Sequence, residues 1–176
     1  MLNRRQNVFE TNSSSVHTIT LDTGCTKDLI LQKDGYVHLS LPYYGKHFDS
    51  FNNSYDKLCY AILIVCYTHH IYLEWNSRYE EFLDEAEYEE EMTYWRDSLQ
   101  DLLDTPEYNL IESCVVEEFY KQDKVCYGLK IHQSDECGID HQSQDHESLE
   151  EFLQENNIKS IHEFIFGCYT LNTGCD

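Results

Sequence analysis

Apolar positions recur with period two near the start of the chain and in steps of three and four through its middle, which predicts strands first and helices after them. Residues 16–21, 29–32 and 36–41 read as strands. In the last of these, Val37, Leu39 and Leu41 share one face while Tyr36, His38 and Ser40 share the other. Lys33-Asp34-Gly35 separates two such runs by the length of a hairpin loop, and Gly35 can supply the positive φ a tight turn needs. The N-terminal quarter therefore reads as a small antiparallel sheet.

From residue 49 to about 70 the period changes. Tyr55, Leu58, Cys59, Ile62, Val65, Cys66 and His69 line one stripe of a helix. A longer helix is predicted from about 76 to 103, with Tyr79, Phe82, Leu83, Ala86, Met92, Trp95, Leu99 and Leu102 on its buried face. Thr105-Pro106 then opens a third, with a hydroxyl to cap it and a proline in its first turn. Its stripe is Leu110, Ile111, Cys114, Val115 and Phe119. Alternation returns at 125–132, with Val125, Tyr127, Leu129 and Ile131 on one face. Ser148 with Glu151 is a capping box for a short helix that stops near Asn156-Asn157. Residues 161–169 are ambiguous: Ser160 with Glu163 favours a helix start, and Phe164-Ile165-Phe166 would suit a buried strand.

These elements predict a single α+β domain over residues 1–176. A small antiparallel sheet, including the strand at 125–132, packs against about three main helices, one of them strongly acidic and exposed. Residues 1–48 form the strand-rich part, 49–123 a helical, acidic part, and 124–176 a mixed part. A chain of 176 residues, 41% apolar and 14% aromatic, can bury a real core, and two prolines and seven glycines leave little room for a linker. The basic start at Arg4 and Arg5 has no apolar run behind it, and no apolar stretch reaches membrane-spanning length. The expected location is the cytosol, so the eight cysteines, none in a C-x-x-C pair, are expected to be reduced.

Charge changes the picture most. Residues 1–73 carry six acids and six bases, 74–123 carry seventeen acids against Arg78, Arg96 and Lys121, and 124–176 carry ten acids against three lysines. The blocks sum as 0, −14 and −7 to the net −21. Such a balance repels nucleic acid and anionic lipid and attracts a basic surface. The densest stretch holds Glu80, Glu81, Asp84, Glu85, Glu87, Glu89, Glu90 and Glu91. At a helical rise of about 1.5 Å per residue this is one charge per roughly 2 Å of axis, against about 1.7 Å for duplex DNA. Those eight residues are the candidate contact surface for a basic, nucleic-acid-binding protein, with no direct binding of nucleic acid and no membrane contact. A solvated helix face, or a homo-oligomer whose acidity serves solubility, is the plainer reading of the same charges.

Residues 7–18 read Asn-Val-Phe-Glu-Thr-Asn-Ser-Ser-Ser-Val-His-Thr. This Phe-Glu-Thr-Asn-Ser-Ser-Ser-x-His run resembles the opening of an uncharacterised family of small proteins from bacteriophages and other bacterial mobile elements. Gly138-Ile139-Asp140-His141-Gln142-Ser143 and the ending Thr173-Gly174-Cys175-Asp176 resemble that family too, while the acidic stretch does not. The resemblance implies a phage or prophage setting in a bacterial cytosol. Small acidic phage proteins there often inhibit host defence, anti-CRISPR proteins among them.

Two clusters carry candidate chemistry. Ser13, Ser14 and Ser15 with His17 and a distant Asp140 offer the residue types of nucleophile, base and orienter, with His141 beside them. The alternative function is thus a small hydrolase or metal-dependent enzyme. A serine-rich loop serves equally to cap backbone amides. Cys137, Asp140, His141, Asp145 and His146 are residue types that hold zinc, at spacings that permit a site without defining one. Cys66 and His70, one helical turn apart, are half of a second such site or simply packed helix-end residues. No cofactor is expected, with zinc as the one candidate.

Overall fold

The computed structural model describes residues 18–21, 29–44, 49–73, 84–134, 137–139 and 148–173. In chain order the described elements are β1 (Thr18–Leu21), β2 (Tyr36–Ser40), β3 (Tyr43–Tyr44), β4 (Asp49–Phe51), α1 (Ser54–Thr68), α2 (Glu85–Leu103), α3 (Pro106–Tyr120), β5 (Gly128–His132), β6 (Gly138–Ile139), α4 (Leu149–Glu155), α5 (Ile161–Phe166) and β7 (Tyr169–Thr173). The architecture is α+β.

Helix α1 sits at the centre. Every residue from Lys57 to Cys66 is buried, so the single apolar stripe expected of it is in fact an all-round apolar surface. A helix of that kind has to be covered on all sides. It packs against α3, α4, α5 and β6. It also starts later than the expected residue 49. Asn53 caps it by accepting the Asp56 amide hydrogen at 2.8 Å, and Asp49–Phe51 is drawn instead into pairing with β7. At its other end the chain turns through His70 with φ of +56°. A line of edge-on and tilted rings crosses the core from Tyr44 to Tyr60, Phe152 and Phe164, with centroids 5.1–5.7 Å apart.

The strands form three separate groups. β1, β7 and β4 make an antiparallel sheet with β7 in the middle. β2 pairs β5 in parallel, Tyr36 opposite Gly128 through Ser40 opposite His132, and β3 pairs β6 in parallel. The expectation that the strand at 125–132 joins an antiparallel sheet is corrected here. Three helices intervene between β2 and β5, and a crossover of that length brings the chain back in the same direction. The hairpin expected around Gly35 is reduced to one antiparallel bridge, Leu31 with Val37, although Gly35 does take φ of +82°.

Alternation also fails at 125–128 for a local reason. Val125 and Tyr127 are exposed while Leu129 and Ile131 are buried. Gly128, at φ +138°, resets the phase between them. It leaves no room for a side chain either, because an added Cβ would stand 2.5 Å from the Glu112 Oε1 atom. That carboxylate accepts the Leu129 amide hydrogen at 2.9 Å and so starts the strand.

The remaining caps follow the sequence. Thr105 accepts the Tyr108 amide hydrogen to begin α3, Ser148 accepts from Glu151 to begin α4, and Ser160 accepts from Glu163 to begin α5. The ambiguous 161–169 stretch resolves into that short helix followed by β7. In α3 the buried face is Tyr108, Ile111, Val115 and Phe119, with Leu110 exposed and Cys114 only half-buried. Among the described residues Cys59, Cys66, Cys114, Cys126 and Cys137 are free thiols, whereas Cys168 is disulfide-bonded. This corrects the expectation of eight reduced thiols: an argument from compartment does not see which sulfurs a fold brings together.

Candidate functional site

Asp84 begins α2. Its carboxylate accepts the amide hydrogens of Ala86 and Glu87 at 2.9 Å each, and the Glu87 carboxylate accepts the Asp84 amide hydrogen at 3.0 Å, closing a capping box. The described helix therefore starts at Glu85. Glu80 and Glu81 lie outside the described residues, as do Tyr79, Phe82 and Leu83 of the expected buried face. Every residue from Asp84 to Glu91 is exposed, Ala86 included, which corrects its assignment to a buried stripe. Burial in α2 falls on Ser98 and Leu102, with Met92, Trp95 and Leu99 half-buried.

The helix is tied to the body part-way along its length. Trp95 donates its indole hydrogen to the Leu73 carbonyl at 3.2 Å, and the Gln133 amide meets the Met92 sulfur at 2.9 Å. Negative charge in the first turn, from Asp84, Glu85 and Glu87, is favoured by the positive helix end. Further along it is opposed: Glu85 with Glu89 and Glu87 with Glu91 are like charges one turn apart, each costing a few tenths of a kcal/mol. Tyr88 and Tyr94 stand exposed among the carboxylates.

Beside the Leu73 end of this contact lies a cavity of about 300 Å3, lined by residues that include Tyr43, Cys66, His70, Tyr72 and Cys137. Cys66 with His70, read from the sequence as half of one site, and Cys137, read as part of another cluster, thus line one cavity. Their chemistry is muted. Burial pushes the Cys66 thiol up to about 12, and the nearby Cys137 pushes in the same direction. A thiol held protonated is neither a ready nucleophile nor a ready ligand, since both roles need the thiolate. Among the described residues no three His, Cys, Asp or Glu side chains are placed to share a metal ion. Asp140, His141, Asp145 and His146 lie outside the described residues, and so do Ser13, Ser14, Ser15 and His17.

One polar cluster was not singled out from the sequence. Asp34, in the turn before β2, accepts the Tyr36 amide hydrogen through Oδ1 at 3.2 Å. Its Oδ2 atom receives Lys130 Nζ at 2.6 Å and His38 Nε2 at 2.9 Å. The other ring nitrogen of His38, Nδ1, lies 2.9 Å from Nε2 of His132. Lys130 and, behind it, His38 hold the Asp34 carboxyl far below the usual carboxylate range. The Lys130 ammonium also lies 4.3 Å from the centre of the Tyr36 ring. The two imidazoles come from strands 94 residues apart in sequence, and the parallel register places them on one face. No local spacing signals such a pair.

The chain matches no protein-family profile, no curated protein and no solved structure. Among the described residues no helix is long and apolar enough to cross a membrane.

Proposed function

We propose that this chain is a phage-type binding protein that occupies the nucleic-acid site of a basic bacterial protein, acting as a mimic of the nucleic acid. The contact surface is Glu80, Glu81, Asp84, Glu85, Glu87, Glu89, Glu90 and Glu91, of which Asp84 caps α2 and Glu85 to Glu91 lie on its exposed first two turns. A host-defence nuclease of the kind inhibited by anti-CRISPR proteins is the partner class that the N-terminal resemblance favours, and the bacterial cytoplasm is where the two would meet.

The observation that carries this reading is the state of the first two turns of α2. All eight residues from Asp84 to Glu91 are exposed, six of them are carboxylates, and the sequence has no lysine or arginine between Arg78 and Arg96. Past the capped first turn, Glu89, Glu90 and Glu91 gain nothing from burial and add like-charge repulsion, so their presence is not explained by the stability of the helix. Duplex-like charge density on a surface that needs no rearrangement to be reached suits a basic groove. Electrostatic steering makes association with such a groove fast and sensitive to salt.

The test is retention of partners from a nuclease-treated bacterial lysate on the tagged chain. The variant with Glu85, Glu87, Glu89 and Glu90 all changed to Lys runs in parallel. A nucleic-acid-handling protein that is retained at low salt, released at high salt, displaced by duplex DNA and lost from the variant supports the reading. Retention that survives the four charge reversals, or that DNA does not displace, removes it.

A further inference from the structure

The geometry points to a second site, unrelated to the acidic helix: His38 and His132 together form a ligand pair for a divalent transition metal of the zinc or nickel class. The two nitrogens already face one another at 2.9 Å, on neighbouring strands whose register is fixed from Tyr36 opposite Gly128 to Ser40 opposite His132. A tetrahedral metal bound at about 2.0–2.1 Å from each nitrogen holds them about 3.3 Å apart. The nitrogens therefore need to separate by only about 0.4 Å, with both rings turning so that their lone pairs converge on the metal. His38 is about one-third exposed and His132 is exposed, so water can complete the coordination shell. Imidazole is a good ligand for these metals.

Asp34 supplies what a solitary histidine pair lacks. It accepts the Nε2 hydrogen of His38, which fixes that tautomer and turns the Nδ1 lone pair toward His132. A carboxylate behind a metal-binding histidine is the usual outer support of such sites. Asp34 is itself held on both oxygens, by the Tyr36 amide and by Lys130. With Nδ1 of His38 unprotonated, His132 donates the shared hydrogen from Nε2. Metal displaces that hydrogen, which moves to Nδ1 of His132, so both facing nitrogens present lone pairs. The Lys130 ammonium opposes a dication nearby, while the net charge of −21 on the whole chain attracts one.

The experiment is a titration of the full chain with Ni2+ alone in a non-coordinating buffer, read on the ring-proton NMR signals of the nine histidines. The signals of His38 and His132 are expected to broaden first and to saturate. His38→Gln and His132→Gln are each expected to weaken binding at least tenfold. Asp34→Asn should weaken it about tenfold, the loss typical of removing an outer-shell partner. His69→Gln, at an exposed histidine outside the pair, should leave it unchanged. First broadening at other histidines, unchanged affinity in either glutamine variant, or an absence of saturable binding overturns the assignment. Far-ultraviolet circular dichroism of each variant checks that a loss of binding is not a loss of fold.

Discussion

Lys57 is the residue most at odds with its surroundings. It lies fully buried in the first turn of α1, and its ammonium donates a hydrogen bond to the Gly167 carbonyl at 2.7 Å. Burial lowers its pKa to about 8 from 10.5 in the unfolded chain. The sign follows from proton counting: between those values the unfolded chain holds the proton that the folded chain has released. Stability therefore rises with pH across the window from 8 to 10.5, by up to about 3 kcal/mol. Buried Cys59 and Cys66, both pushed up to about 12, and buried Tyr44, Tyr60 and Tyr108, also raised, act in the opposite sense above pH 9–10. The difference between wild type and Lys57→Met isolates the lysine. Denaturant midpoints should show the variant's advantage at pH 7 shrinking as pH approaches 10.5; a constant difference would remove this reading of Lys57. Gly128 makes the complementary prediction. Gly128→Ala forces a Cβ against the Glu112 carboxylate at a backbone angle that L side chains rarely adopt. The expected loss is about 1–3 kcal/mol, measured by the same unfolding curves.

At the scale of elements, the caps divide the helices into those the fold depends on and one whose start stands apart. Thr105→Ala removes the cap of α3, a helix packed on α1, α5 and β5, and should cost about 1 kcal/mol of global stability. Asp84→Ala breaks the capping box of α2, whose first two turns bury nothing. It should lower helical content by circular dichroism with little change in the unfolding midpoint. Equal midpoint losses in the two variants would contradict that division. The starts of α3, α4 and α5 were legible in the sequence because capping is a local code: Thr105-Pro106, Ser148 with Glu151 and Ser160 with Glu163 each act within four residues, whereas the caps at Asn53 and Asp84 were missed and α1 and α2 were expected to begin earlier. Strand partners were not legible, because pairing joins residues far apart. Nothing near residue 128 specifies that β5 meets β2 in parallel, and nothing near Asp49 specifies capture by β7. The same limit hid the histidine pair. The carboxylates of α2 were readable from the sequence, whereas the hydrogen bond from Trp95 to the Leu73 carbonyl, 22 positions away, was not.

For the molecule as a whole, charge and topology set the behaviour. A net −21, with −14 gathered between residues 74 and 123, repels itself in any compact state. Screening relieves this, so thermal unfolding should shift upward by several degrees from low salt to about 0.5 M, where the screening length falls below about 5 Å. A flat or falling midpoint would mean that the charges are already spread far enough apart to ignore one another. The topology bears on a different question, the order of synthesis. Every described sheet joins an early strand to a late one, β1 and β4 with β7, β2 with β5, and β3 with β6, and β7 is the shared partner in its sheet although it is made last. A growing chain therefore carries β1, β2, β3 and β4 without their partners for most of its translation. A product stopped before residue 128 has none of these pairings at all. Synthesis through β7 is then the event that lets these described sheets form, and shorter products are left with unpaired strands.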